Sequence, residues 1–325
     1  MNVFVTGANG LLATHVIEQL LSEGHRVRGL IRNPGKYLLD SDDRLELIRG
    51  SLEDSNTYAD VLPGCDAVIH IAALTAPEIL SYDGFHQVNV RGTTALLERC
   101  LNSGVSRFVY VSTANTLGYG SKEQPGHEEL PMSPPFTQSL YAVSKKHADI
   151  LVRSYANRLQ VVLAHPTFMI GAYDAKPSSG RILLSALKRI VPVPPGGKNF
   201  VNARDAAVAL LRLLEKGENG RSYLIAGENL SYREFFSRVR ELEGVESRQL
   251  PLPAWLLSKL GGVGDGLRYM GFRTPMSSVN LATLCVGNYY HSLRIQEELG
   301  VRFRPIEEGL VEALDWFREH GYLRG

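Results

Sequence analysis

Apolar and polar positions alternate in two periods along the first half of the chain. Val3-Phe4-Val5 is a short unbroken apolar run, the mark of a strand buried on both faces. Over 9–23 the period lengthens. Leu11, Leu12, Val16, Ile17, Leu20 and Leu21 recur at helical spacing, and Gly24 ends the helix. The exchange then repeats, with strands predicted over 27–31, 44–48, 67–71, 107–111 and 161–164, and helices over 87–101 and 141–158. This βαβα order predicts an α/β fold, a doubly wound parallel sheet covered by helices on both faces. After Pro166 the pattern changes. Pro and Gly cluster in VPVPPGG (191–197), and helices over 203–215, 232–242 and 294–299 are separated by short strands such as 222–226. The expected division is a dinucleotide-binding unit over 1–165 and a smaller, mainly substrate-binding α/β region over 166–325, with some segments of the latter returning to the sheet.

Composition narrows the classes. The chain has 325 residues, with 35 Lys and Arg against 34 Asp and Glu. A net charge of +1 gives no global field for a polyanion, so nucleic acid is not an expected partner. Cys65, Cys100 and Cys285 stand far apart, without zinc-ligand spacing, so neither a metal site nor a disulfide scaffold is expected. Reduced thiols and a first segment that reads as a folded strand, not a leader, suit the cytoplasm. No run of about 18 apolar residues exists to span a membrane. The expected partner is a small molecule, not a membrane.

The first chemical motif is Thr6-Gly7-Ala8-Asn9-Gly10-Leu11-Leu12-Ala13, between the first strand and its helix. Gly7 allows the tight turn, Gly10 lets the backbone approach a pyrophosphate, and Ala13 permits close helix–strand packing. The phosphates belong at the helix N-terminus, where free N–H groups and the dipole favour an anion. The second strand ends at Leu30-Ile31-Arg32, where a site preferring NAD carries Asp or Glu for the ribose hydroxyls. Arg32, with Lys36 four residues on, instead suits the 2′-phosphate of NADP, so NADP(H) is expected ahead of NAD(H). The second motif is Tyr141-Ala142-Val143-Ser144-Lys145, which sets Tyr141 and Lys145 on one helix face. A Lys ammonium nearby favours the phenolate and lowers the Tyr pKa. Ser112-Thr113, at the end of the fifth strand, supplies a hydroxyl to orient a carbonyl.

With these motifs in place the sequence resembles the extended short-chain dehydrogenase/reductase family, of the NAD(P)-dependent epimerase/dehydratase type. TGANGLLA (6–13), DAVIHIAAL (66–74), VNVRGT (88–93), FVYVSTA (108–114), YAVSK (141–145) and HPTFMIG (165–171) follow the family's order. PPGGKNFVNARDAA (194–207), LRIQEELG (293–300) and ALDWFREHGYL (313–323) make it most similar to the dihydroflavonol-4-reductase-like branch. The resemblance implies a Rossmann fold and a hydroxyl–Tyr–Lys mechanism. Thr113 matches the catalytic hydroxyl, Tyr141 the proton donor and Lys145 the residue that binds the nicotinamide ribose and tunes Tyr141. Gly7, Asn9, Gly10 and Leu11 match the phosphate loop. Asn89 matches a residue near the cofactor, Leu52 one under the adenine, and Ile71, Ala72 and Ala73 the wall beside ribose and phosphates. Pro166 and Phe168 match the segment that holds the carboxamide. Ser51 and Asn202 stand where the family often has Asp, and Lys198 where UDP-sugar epimerases tend to carry an Arg for phosphates.

Three activities are weighed on these residues. The first is reduction of a small ketone or aldehyde, or oxidation of the matching alcohol. The second is nucleotide-sugar epimerisation or dehydration, and the third is non-catalytic dinucleotide sensing, which would have lost Tyr or Lys. His165 is expected in the core ahead of the pocket, Cys100 in the core, and Met132, Met169 and Tyr173 in pocket or packing. The Gly- and Pro-rich stretch 115–140 is the expected substrate lid. Helices 87–101 and 141–158 are the expected homodimer surface, with Ala95, Leu96 and Ile150 contributing.

Overall fold

The computed structural model describes residues 1–323 other than Lys176, Ser178 and Ser247. Its main sheet contains β1 (Asn2–Thr6), β2 (Arg26–Ile31), β3 (Leu45–Arg49), β4 (Ala67–His70), β5 (Arg107–Val111) and β6 (Gln160–Pro166). Then come β7 (Phe168–Ile170), β8 (Ile190–Val193), β9 (Gly197–Asn202), β10 (Ser222–Ile225), β11 (Glu228–Ser231), β12 (Arg248–Pro251) and β13 (Gly287–Asn288). The sheet runs β10-β6-β5-β4-β1-β2-β3, parallel throughout. The period-2 alternation of strands divides two cores. Val3, Val5, Val109 and Val162 face one, beneath the helices Leu11–Ser22 and Ala203–Lys216. Phe4, Phe108, Val161 and Leu163 face the other, beneath the helices Gly92–Asn102 and Leu140–Ser154.

Chain order reverses between β1 and β4, and in open α/β sheets the crevice at such a reversal, at the carboxyl ends of the strands, is where ligands bind. A second, smaller core lies around β9, which pairs with β7, β11 and β13. Phe200, Phe235, Phe236, Trp316 and Phe317 fill it.

Boundaries differ from the periodicity in places. The helix expected over 87–101 belongs to a longer helical run from Tyr82 to Asn102, with a π-helical turn over His86–Arg91. The helix expected over 141–158 ends at Ser154, and β6 extends to Pro166. Leu96 is not a surface contributor. It is fully buried between the helix and the sheet, with Phe108 and Val152 in the same core, whereas Ile150 is 61% exposed.

Candidate active site

The loop after β1 is shaped by Gly7. Its φ is +75°, and a Cβ there would come within 3.1 Å of the Ala72 backbone. The N–H groups of Gly7 and Ala8 both donate to the Leu30 carbonyl at 3.1 Å, and that of Gly10 to the Gly7 carbonyl at 2.9 Å. Gly10 caps the helix Leu11–Ser22 without a side-chain hydrogen bond, and its first turn holds no acid. Its leading N–H groups therefore lack both an intrahelical and a capping partner, which fits an anionic pyrophosphate.

The facing wall, Ile71 to Ala73, is held by Thr6. Its hydroxyl oxygen accepts from Ile71 N–H at 3.1 Å and Ala72 N–H at 3.0 Å, and its proton is left for His70 Nδ1 at 2.8 Å. His70 is fully buried, and burial pushes its pKa down to about 3, so it is neutral. Its Nε2 donates to the Thr93 hydroxyl at 3.0 Å, which donates to the Asn89 carbonyl at 2.7 Å. Asn89, in the π-helical turn, accepts from Leu74 N–H at 2.7 Å and donates to the Leu74 carbonyl at 3.0 Å and the Ser144 hydroxyl at 2.9 Å. Ser144 in turn donates to the Tyr141 carbonyl at 2.7 Å. Asn89 thus ties Leu74, next to that wall, to the helix bearing Tyr141.

The end of the crevice expected to take the adenine is more open. Arg32, directly after β2, and Lys36 are exposed and pair with no carboxylate among the described residues. Asn9 is exposed, Leu11 half-buried and Leu52 buried against Gly92. Ser51 receives the Glu53 N–H at 3.3 Å within its own turn. Asn202 caps the helix Ala203–Lys216 by accepting from Arg204 N–H at 2.9 Å, a task open to Asn and Asp alike.

At the end of β5 the two hydroxyls diverge. The Thr113 hydroxyl lies close enough to the Tyr141 phenol to favour its phenolate, and it accepts from Asn115 N–H at 3.3 Å. The Ser112 hydroxyl is buried without a partner among the described residues. Burial pushes the Tyr141 phenol up to about 12, against the downward pull of the Thr113 hydroxyl. Lys145 is buried and donates to the Val111 carbonyl at 2.8 Å, with its ammonium 4.1 Å from the centre of the Tyr110 ring. Burial pulls it down to about 7, and the Asp149 carboxylate opposes that shift. The lowering of Tyr141 expected from Lys145 is therefore not present in the protein alone. Burial sets the direction of the Tyr141 shift, and the Lys145 ammonium is turned to a backbone carbonyl. Ser144 and buried Asp149 escaped the sequence reading. Asp149 carried a usable signal, since it repeats the four-residue step from Tyr141 to Lys145.

A cavity of about 300 Å³ opens beside Tyr141, lined also by Asn115, Phe136, Ser139, Lys198 and Arg268. Lys198 Nζ lies 5.3 Å from the Phe168 ring centre, has no carboxylate partner among the described residues, and is pulled down to about 8 by burial. Pro166 ends β6, buried beneath this corner. The stretch 115–140 is pinned along its middle. Glu128 accepts from Leu224 N–H at 2.9 Å, and Gly120 and Gly126 donate to the Tyr289 carbonyl at 3.1 and 2.9 Å. Its end, Phe136 to Leu140, reaches the cavity. Met132 does not line it. His165 lies in the core, bonded to Ser222 at 2.9 Å and Thr116 at 3.2 Å. Tyr173 packs on His15 and Met169 on the core beside the first helix. Cys100 is buried.

Comparison with known proteins gives the wider setting. The model of the NAD dependent epimerase/dehydratase family matches residues 3–226. "Sterol demethylase protein B" of Methylococcus capsulatus is 28% identical over 330 residues, 99% of this chain and 100% of that protein. "Putative dihydroflavonol 4-reductase" of Synechocystis is 26% identical, over 99% of this chain and 96% of that protein. Among solved structures, that of gox2253 has a TM-score of 0.85 at 28% identity, covering 99% of both chains. The dTDP-glucose 4,6-dehydratase DesIV of Streptomyces venezuelae, solved with NAD, shares the fold, with a TM-score of 0.80 at 24% identity over 100% of this chain and 99% of that one.

Proposed function

The chain belongs to the NAD dependent epimerase/dehydratase family, and from that premise we propose that it is an NADP(H)-dependent oxidoreductase acting on a small ketone or aldehyde, or on the matching alcohol. The observation that carries this reading is Thr113 beside Tyr141, which lines a cavity, with buried Lys145 one helical turn on and the Gly7 loop at the end of β1, two strands from β5 in the same sheet. The nicotinamide, when bound, supplies or takes up the hydride. Thr113 orients the substrate carbonyl, and Tyr141 gives its phenolic proton to the oxygen in reduction or recovers it in oxidation. Lys145 holds the ribose and places a positive charge behind the phenol. Arg32 and Lys36, free of carboxylates at the adenine end, support NADP over NAD.

One observation favours nucleotide-sugar epimerisation or dehydration as a second reading. Lys198, a half-buried cation lining the same cavity, suits a phosphate. A screen of carbonyl compounds followed by NADPH absorbance, with an NADH control, tests the first reading. A cofactor retained through purification, with no consumption of added NADPH, would replace it with the second. The homodimer belongs here too. It rests on exposed Ile150 and half-buried Ala95, and light scattering giving a monomer at micromolar concentration removes it.

A further inference from the structure

The helix Ala254–Tyr269 is built unlike the others. It buries only Leu257, Gly261 and Gly264, yet its opposite face is also apolar. Trp255 and Val263 are 61% and 63% exposed, and the turn that follows adds Met270 and Phe272 at 63% and 60%. A helix apolar on both faces calls for cover on both. The inner face has it. Arg268 donates to the carbonyls of Pro77, Ile79 and Thr274, and Gly261 packs against Ser278. The outer face has none within the described chain.

The charges say what kind of cover fits. Lys259 lies on the outer face, 5.3 Å from the Trp255 ring centre, and Arg273 is exposed in the following turn. Asp265, the one acid of the segment 254–276, is on the cavity side, where it accepts from Ser278 N–H at 3.1 Å. A second copy of the chain meeting this face about a two-fold axis would set cation against cation, with no acid from the segment between them. Aromatic and aliphatic side chains interleaved with Lys and Arg are instead the chemistry of a helix lying in a membrane interface.

We infer that the outer face of the helix Ala254–Tyr269, with the turn to Phe272, docks on an anionic lipid surface. No helix among the described residues is long and apolar enough to cross a membrane, and the proposed geometry is parallel to the surface. Trp255, Val263 and Met270 enter the acyl boundary while Lys259 and Arg273 meet the headgroups. Asp265 and Arg268, on the inner side of the same helix, line the cavity that holds Tyr141. Docking therefore sets the cavity directly behind the docked helix.

The test uses the full chain and needs no substrate, so it stands or falls apart from the proposed reaction. Trp255 is the exposed one of two tryptophans, since Trp316 is buried. The chain is mixed with phosphatidylcholine vesicles with and without phosphatidylglycerol, then followed by co-sedimentation and tryptophan emission. The expected result is pelleting and a blue shift with the anionic vesicles, both weakened by salt. Val263→Asp should weaken binding about tenfold or more, as expected for a lost buried aliphatic side chain, and Lys259→Glu should weaken it on anionic vesicles above all. Circular dichroism checks that each variant is folded. Absence of binding to anionic vesicles overturns the proposal, as does undiminished binding by folded Val263→Asp. A concentration-dependent dimer in sedimentation, lost in Val263→Asp, would assign the face to a second copy instead.

Discussion

Tyr141→Phe keeps the ring and its packing and removes the one proton that the phenol can give. General acid catalysis of the usual size predicts a fall in turnover of about 10²–10⁴-fold. Cofactor affinity should change little, because the pyrophosphate loop and the adenine end lie elsewhere. Thr113→Val should lower turnover with cofactor binding intact, and Ser112→Ala should matter less, since the Thr113 hydroxyl is the one that meets Tyr141. Turnover on a confirmed substrate and NADPH affinity by fluorescence check each variant. Near-normal turnover in Tyr141→Phe would remove the assignment. At the other end of the crevice, Arg32→Asp should weaken NADPH by roughly ten- to a hundredfold, the worth of a charged hydrogen bond, and improve NADH. Titration of both cofactors decides it, and equal affinities in the wild type would sink the idea.

At the level of elements, the joint to break is the π-helical turn over His86–Arg91, whose Asn89 bonds both Leu74 and Ser144. π-helical turns inside α-helices recur at functional sites. Asn89→Ala strands the Leu74 N–H and carbonyl in a half-buried setting and should cost about 2–6 kcal/mol, at roughly 1–3 kcal/mol per unpaired group. The denaturation midpoint should fall, and turnover with it, since the helix carrying Tyr141 loses its tie to Leu74. An unchanged midpoint would show that the tie is dispensable. This joint also marks how far the sequence could be read. The strands of the main sheet and the helices that bury one apolar stripe follow from periodicity, because burial on a sheet imposes it. The π-helical turn does not, since one extra residue per turn leaves no trace in an apolar pattern. The helix Ala254–Tyr269 was invisible for the opposite reason. Its apolar residues lie on both faces, and four glycines interrupt them. Among candidate site residues, Gly7, Tyr141 and Lys145 stand out from spacing. The turn of Lys145 toward Val111 was not, because it depends on which carbonyl β5 leaves free.

Across the whole molecule, β10 completes the sheet against β6, although it belongs to the chain's second half. The helix Ala203–Lys216 likewise covers a core shared with Val16 and Leu20. A chain truncated after residue 165 would expose the edge of β6 and this apolar face, so it is expected to aggregate. The soluble fraction and a size-exclusion profile check this, and a monomeric fragment that binds NADPH would show that the first half folds alone. The same arrangement sets a timetable during synthesis. When β6 leaves the ribosome its partner has not yet been made, and at ~5–20 residues per second the roughly 60 residues to β10 take about 3–12 s. Throughout that interval the nascent chain presents an open parallel edge to its neighbours on a polysome, so chaperone demand should peak as the middle of the message is read.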